Sequence, residues 1–213
     1  MDICGRGAPS ELRLPLEPDL VRTSVGSPII LSASSNGGVF MRKSTTVKDI
    51  VLMAFYLALF VVLDYLSNAL PFFKMPQGGT LGLGTVVLLL ASYQLGWKKG
   101  TIVAMLSVLM QFVTGQMYIL GFVQFMLDYF IAFSVYGLAS LFPNKGYFFS
   151  GVLITSLIRF ASSTASGVLF YETTLLASMA YQAWYMVPTT ILDLVLVPLL
   201  YKALGPSLKR FMK

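Results

Sequence analysis

The sequence contains no histidine, a single cysteine at Cys4 and few charged residues. Without histidine, a Ser–His nucleophile pair and a His-ligated metal centre are both excluded. A single cysteine leaves no partner for a disulfide within the chain and no thiolate cluster for a metal. The sequence also lacks a Gly-rich phosphate-binding loop, so it predicts no ATP hydrolysis by this chain. No paired carboxylates suggest catalysis, and the sequence therefore favours a non-enzymatic protein without a cofactor.

Charged residues make up 11% of the 213 residues, whereas hydrophobic residues make up 56% and the mean hydropathy is +0.77. Soluble domains carry about a quarter of charged residues, so this composition indicates a multi-pass protein of the lipid bilayer. In such proteins Lys and Arg report which loops face the cytoplasm. The formal net charge of +6 therefore does not indicate a nucleic-acid partner.

Apolar segments predict six transmembrane helices, several of which approach the roughly 20 residues needed to span a bilayer. The segments cover residues 48–69, 81–96, 100–115, 118–141, 147–171 and 175–203. Basic residues precede the first segment, follow the last and occupy the second and fourth connections, whereas Lys74 stands alone in the odd-numbered connections. The positive-inside rule then places both termini in the cytoplasm. The predicted fold class is an all-α membrane protein, a bundle of six transmembrane helices.

Asp128 and Tyr129 interrupt Leu120–Leu141, an apolar run long enough to be a membrane helix. An ionisable side chain at membrane depth costs a few kcal/mol, so it usually faces a protein interior or a cavity. Gln124 lies one turn earlier, on the same helical face. One interpretation is an ion pair with Arg159 that joins two helices. The other is a buried ligand site that contains a carboxylate.

Polar residues also recur on the predicted fifth and sixth helices, at a similar depth toward the outside. On the fifth helix, Ser163 and Tyr171 belong to a polar stripe at helical spacing. On the sixth, Tyr181, Gln182 and Tyr185 fall in the outer half, where an unpaired amide in lipid would be costly. A carboxylate supplies charge, aromatic faces add cation–π attraction, and an amide reads the edge of a heterocycle. The combination favours an extracellular-side pocket for an aromatic organic cation.

Two further features concern the first helix and the loop that follows it. Residues 71–80 contain two prolines, a Gly-Gly pair and adjacent aromatic residues that include Phe73. Such a loop is either a simple connector or a lid over a pocket. Ala54 and Ala58 form a small-x-x-x-small pair, which lets another helix approach closely in lipid.

Four motifs together resemble the thiamine-specific S component of energy-coupling factor (ECF) transporters. They are Met75-Pro-Gln-Gly-Gly-Thr80, Leu127-Asp-Tyr129, Arg159-Phe160 with Ser166-Gly167, and Tyr181-Gln-Ala-Trp-Tyr-Met-Val-Pro188. The likeness covers essentially all of 41–205, with the motifs in the order and spacing of the family. It implies a six-helix bundle in the bacterial plasma membrane. Such a subunit binds thiamine from outside and docks on a transmembrane coupling protein driven by two ATPase subunits.

The resemblance also implies roles for individual residues. Asp128 stands where the family has an acidic residue near the thiazolium ring, and Tyr171 occupies an aromatic stacking position. The first outer loop is expected to gate the pocket, with Phe73 over the ligand. Ala54 and Ala58 are expected to form part of the docking face on the first helix.

Three positions depart from the pattern of the family. Ser163 replaces a histidine, Gln182 replaces an asparagine, and Ala177 replaces a tyrosine. Loss of the histidine and tyrosine contacts is expected to weaken binding or to enlarge the pocket. The expected ligand is therefore thiamine, a thiamine analogue or one of its precursors.

A change in composition divides the chain into 1–40 and 41–213. The first part is rich in Pro, Ser and Gly without periodicity, and it predicts either a disordered cytoplasmic tail or a translated leader that precedes the true start. Reverse translation of Glu11–Arg13, Pro15–Leu20 and Thr23–Gly26 gives nucleotide sequences that resemble, in order, three sequence blocks of the thiamine pyrophosphate riboswitch. The second part is the predicted membrane domain.

The leading hypothesis is the substrate-binding subunit of an ATP-driven vitamin transporter. One alternative keeps the fold and changes the ligand to a thiamine precursor or another vitamin. Another is a solitary secondary carrier that uses Asp128 to couple transport to a proton or an ion. The last is a scaffold whose polar residues only hold helices together.

Overall fold

The computed structural model of the chain describes residues 46–69, 75, 79–115 and 117–212. The predicted leader and Phe73 lie outside these residues. Within them the chain forms six helical segments, which fall close to the apolar segments of the sequence. The helices are α1 (Val47–Ala69), α2 (Leu83–Leu95), α3 (Trp97–Thr114), α4 (Phe122–Leu141), α5 (Ser150–Phe170) and α6 (Leu175–Met212).

Four of the helices in the described ranges are long and apolar enough to cross a membrane. They are α1, α4, α5 and the Leu175–Ser207 part of α6. On α1 the large side chains of Val47, Phe55, Val62 and Tyr65 are exposed. An apolar helix face without a protein partner is suited to lipid tails rather than to water. The chain is therefore a multi-pass membrane protein.

Helix α2 forms the centre of the bundle. It is apolar but has only 13 residues, and all of its residues from Gly84 to Ser92 are buried. Helices α1, α3, α4 and α6 pack around it. A helix that is hydrophobic on every side is expected at such a central position. Four of the other five helices are thereby arranged around one short core element.

Glycines allow neighbouring helices to approach closely. A Cβ atom on Gly137 of α4 would lie 2.3 Å from the Cα atom of Thr101 on α3. A Cβ atom on Gly167 of α5 would lie 2.1 Å from the hydroxyl oxygen of Ser178 on α6. Small residues at helix crossings are typical of membrane bundles, where close packing drives association. These two crossings fix the distances of α4 and α5 from their neighbours.

Helix α4 is not a uniform α-helix. It is α-helical over Phe122–Phe125, π-helical over Met126–Ile131, α-helical over Ala132–Ser134 and a 3₁₀-helix over Val135–Leu141. π-helical turns are rare and occur frequently at functional sites. Asp128 and Tyr129 lie in the π-helical segment, whereas Phe133 and Tyr136 beyond it belong to the hydrophobic core.

One end of the bundle carries a short antiparallel hairpin, β1 (Asn144–Lys145) and β2 (Phe148–Phe149), which turns at Gly146 with a φ of +64°. At the beginnings of α1 and α3, the Lys99 Nζ atom lies 2.7 Å from Asp49 Oδ1. It is the only ion pair within 4 Å found among the described residues. The pair joins α1 to α3 at this end of the bundle. Asp128 and the other polar residues predicted for the site lie toward the opposite end.

Candidate functional site

A cavity of about 260 Å³ lies among the helices, toward the end opposite the hairpin. Every helix contributes to its wall, as does the segment that precedes α2. The lining residues are Asp64, Asn68, Gly79, Thr80, Gly82, Thr85, Gln111, Asp128, Tyr129, Phe133, Arg159, Ser163, Gly167, Tyr171, Thr173, Ala177, Ser178, Tyr181, Gln182 and Tyr185. Seven of the predicted site residues are thus brought together on one surface: Asp128, Tyr129, Ser163, Tyr171, Tyr181, Gln182 and Tyr185.

The Asp128 carboxylate is held by two hydrogen-bond donors. Its Oδ2 atom accepts a hydrogen bond of 2.8 Å from Gln124 Nε2 and one of 2.7 Å from the Ser166 hydroxyl. Both donors are fully buried. Hydrogen bonds to a carboxylate are stronger than those between neutral groups, so this carboxylate has a defined orientation at the cavity wall.

Gln124 does not line the cavity but lies behind Asp128. Its Oε1 atom accepts from the Leu120 backbone N–H at 3.1 Å, and Nε2 also donates to the Tyr118 carbonyl at 3.1 Å. Nε2 lies 3.4 Å from the Tyr171 hydroxyl as well. The spacing of one helical turn correctly predicts that Gln124 and Asp128 share a face. In the structure, however, Gln124 positions the carboxylate and the preceding loop and has no surface on the cavity.

Aromatic rings form much of the remaining wall. The Tyr171 ring stacks on Tyr118 with centroids 6.3 Å apart and an angle of 30° between the planes. The Tyr129 hydroxyl accepts a hydrogen bond of 2.8 Å from the Tyr118 backbone N–H. A tyrosine phenol is uncharged at physiological pH, so the Tyr171 ring presents a neutral aromatic face. Sequence reasoning missed Tyr118. The only signal for it was its place just before the apolar helix that contains Asp128.

Arg159 lies on the cavity wall with 9% of its surface exposed. Its guanidinium carbon is 4.4 Å from the centroid of the Phe133 ring and 5.6 Å from that of Tyr136, and Nη1 donates to the Tyr136 hydroxyl at 3.3 Å. Within the described part of the chain, Arg159 makes no ion pair within 4 Å with a carboxylate. The direct pair with Asp128 that the first interpretation required is therefore not formed, and the two charges act on each other over a longer distance.

On α6 the amide of Gln182 is already occupied by protein groups. Its Nε2 atom donates to the Ser163 carbonyl at 3.3 Å, and its Oε1 atom accepts from the Tyr185 hydroxyl. The Tyr181 ring meets the Tyr185 ring edge-on with centroids 6.2 Å apart. Against Tyr185 lies Gly79, where a Cβ atom would stand 2.5 Å from the ring. The end of the first loop is thus in contact with the cavity wall.

Several cavity residues were not expected from the sequence. Asp64 lies on the wall together with Asn68 of the same helix. Gln111 of α3 also lines the cavity with 5% of its surface exposed. Asp193 is fully buried behind the wall and accepts hydrogen bonds of 3.0 and 3.1 Å from the Thr85 hydroxyl. An amide in an apolar helix was the signal that could have identified Gln111.

The remaining predicted residues lie elsewhere. Ala54 and Ala58 are exposed on α1 and take no part in the cavity. In the ranges that the structure covers, no group of His, Cys, Asp or Glu side chains is arranged to hold a metal ion. The cavity itself offers the carboxyl groups of Asp64 and Asp128, the guanidinium of Arg159, aromatic faces and amides. Such a set is suited to hold a small organic cation without chemical change.

Comparison with known proteins agrees with this description. The family model described as thiamine transporter protein matches residues 50–209. The thiamine transporter ThiT of Bacillus subtilis (strain 168) is 30% identical over 190 residues, which cover 79% of this chain and 98% of that protein. A solved structure of ThiT from Listeria monocytogenes superposes with a TM-score of 0.63 at 18% identity. That match covers 75% of this chain and 96% of the other and shows a common fold.

Proposed function

The chain belongs to the thiamine transporter family, and on that premise we propose that its cavity captures thiamine from outside the cell for import. Thiamine joins a positively charged thiazolium ring to a neutral aminopyrimidine ring. The observation that carries the proposal is the oriented Asp128 carboxylate beside the neutral Tyr171 ring, on the wall of one cavity. A carboxylate and an aromatic face are the groups expected to bind an aromatic cation.

The size of the cavity supports the same ligand class. Its volume of about 260 Å³ is just below the roughly 300 Å³ at which small-molecule sites begin. One molecule of two linked rings would fill the cavity, whereas a larger cofactor would not fit into it. Ala177 and Ser163 lie on the wall, where the family has larger side chains, so precursors and analogues of thiamine belong to the same test.

The proposal includes a topology of six membrane crossings with both termini in the cytoplasm. Four crossings are supported by length and composition. The short α2 and the 18-residue α3 are proposed to complete the set because they are packed among the other helices. Residues 71–80 are proposed as the lid, and the contact of Gly79 with Tyr185 supports this role.

Import requires a source of energy that this chain does not supply. The absence of a phosphate-binding loop from the sequence supports a non-catalytic subunit of an ECF transporter, which docks on a transmembrane coupling protein with two ATPase subunits. The exposed Ala54 and Ala58 on α1 are proposed as part of the docking face. A solitary carrier would instead transport thiamine without these partners.

The test is equilibrium binding of thiamine to the purified protein in detergent, followed by uptake into vesicles. We expect a dissociation constant below micromolar, with weaker binding of the separate thiazole and pyrimidine fragments. Failure to bind thiamine in this range would remove the proposed ligand. Uptake by vesicles that contain this chain alone would replace the ATP-driven subunit with a secondary carrier.

A further inference from the structure

Among the described residues, three glutamines lie in or beside the cavity, and only one of them has an amide nitrogen without a hydrogen-bond partner. The amides of Gln124 and Gln182 are both engaged at nitrogen and at oxygen by protein groups. Gln111 differs, since its Nε2 atom is buried and has no hydrogen-bond partner among the described residues. A buried amide without a partner is costly, and native structures contain few such groups.

Gln111 is one of the residues that line the cavity. It lies in the last turn of α3, where its own carbonyl accepts hydrogen bonds from the Thr114 hydroxyl at 3.1 Å and from the Gly115 backbone N–H. The backbone is therefore fixed, and the side chain lines the cavity with 5% of its surface exposed. The wall it occupies belongs to α3, whereas Asp128 is held between α4 and α5.

We propose that the Gln111 carboxamide recognises a ring nitrogen of the ligand together with the amino group on the adjacent ring carbon, which in thiamine form the aminopyrimidine edge. In this arrangement Nε2–H donates to the ring nitrogen and Oε1 accepts from the exocyclic amino group. A primary amide presents a donor and an acceptor side by side, and glutamine uses this pair to bind a ring nitrogen and the amino group of adenine. The inference rests on the proposed function and adds the residue that reads the neutral half of the ligand.

The three glutamines then have different roles. Gln124 orients the carboxylate, Gln182 braces α5 against α6, and Gln111 reads the heterocycle. The polar pattern of the sixth helix predicts Gln182 as the amide in the site, but its donor and acceptor are already used by Ser163 and Tyr185. An amide that is satisfied by the protein gains little from a ligand, whereas an unpaired one gains a full hydrogen bond.

The test compares thiamine with 3-benzyl-5-(2-hydroxyethyl)-4-methylthiazolium, a cation that keeps the thiazolium ring and lacks the aminopyrimidine edge. Binding of both to the purified full-length chain is measured for wild type and Gln111→Met. We expect thiamine to bind about 10- to 100-fold more weakly to the variant, as for loss of one paired amide. The benzyl analogue is expected to bind equally well to both proteins.

Gln94→Met is the matched control, because Gln94 also has an unpaired Nε2 atom but does not line the cavity. This control should leave both affinities unchanged. Gln111→Met removes an unpaired polar group, so its melting temperature should not fall. If the melting temperature does fall, Gln111→Glu is used instead, because it keeps the size of the side chain and removes the donor. The readout is then the ratio of the affinity for thiamine to the affinity for the benzyl analogue.

The outcomes separate the inference from the function on which it rests. Wild-type protein that does not bind thiamine overturns the proposed function. Wild-type protein that binds thiamine, with an unchanged affinity in Gln111→Met, overturns the role of Gln111. Equal weakening of both ligands also overturns it, because Gln111 would then contact the shared thiazolium half or support the shape of the cavity.

Discussion

Replacement of Asp128 by asparagine should separate the electrostatic part of thiamine binding from the fold. The variant keeps the shape of the side chain, and its oxygen can still accept from Gln124 or Ser166, which lie 2.8 and 2.7 Å from Oδ2. It loses one negative charge beside the cation. At a separation of about 5 Å and an effective dielectric constant of about 20, that attraction is about 3 kcal/mol.

We therefore expect Asp128→Asn to bind thiamine roughly 100-fold more weakly, with a melting temperature close to that of wild type. Isothermal titration in detergent measures the first quantity and a thermal shift the second. Asp193→Asn is the matched control, because this carboxylate is fully buried behind Thr85 and is not on the cavity wall. Its effect should be on stability, with little change in affinity.

A neutral thiamine isostere, with carbon in place of the thiazolium nitrogen, provides the decisive comparison. It lacks the charge that Asp128 attracts, so wild type and Asp128→Asn should bind it equally well. Equal loss of affinity for the neutral and the charged ligand would refute the electrostatic argument. A variant that unfolds while its folded fraction binds thiamine normally would instead assign Asp128 to helix packing.

Three other substitutions test the walls of the cavity and the packing of the bundle. Gly79→Ala places a Cβ atom 2.5 Å from the Tyr185 ring and should weaken thiamine binding about tenfold, whereas Gly121→Ala, with no atom within 4 Å of its Cβ, should not. Tyr171→Ala should lose about tenfold in affinity through loss of the aromatic face, and Tyr171→Phe should retain it. Gly137→Ala places a Cβ atom 2.3 Å from Thr101 Cα and should lower the free energy of unfolding by about 1–3 kcal/mol. Gly205→Ala, whose Cβ atom would meet no atom within 4 Å, is the control in thermal unfolding. Normal affinity in Gly79→Ala, weak binding by Tyr171→Phe, or unchanged melting of Gly137→Ala would each contradict the corresponding contact.

The helices and seven of the twenty described residues on the cavity wall could be predicted from the sequence, because polar residues in apolar runs are conspicuous. Asp128, Ser163 and Gln182 stood out for that reason, and the structure brings them to one surface. Gln111 was equally polar, but the fully apolar surroundings of α2 and α3 gave no periodicity from which to read its direction. The position of Asp64 gave no signal either, because depth along a helix does not reveal which side of the helix meets the protein.

The role of Gln124 illustrates a different limit of sequence reasoning. Its spacing from Asp128 predicts a shared face, yet spacing does not tell whether an amide contacts a ligand or the neighbouring carboxylate. The answer depends on Tyr118, Leu120 and Ser166, which surround the pair in space. The packing of α5 and of the loop before α4 determines it.

The π-helical segment Met126–Ile131 shifts the phase of α4 by one residue between its two ends. An ordinary α-helical turn at this place would carry a side chain about 100° around the axis for each residue. Loss of a single residue between Phe125 and Ala132 would therefore rotate the outer turns, and with them Gln124 and the preceding loop, away from their present partners. The orientation of Asp128 therefore depends on the length of the chain in this segment as much as on the residue at position 128. An alignment of relatives that shows a gap of one residue here would mark a chain without the π-helical turn.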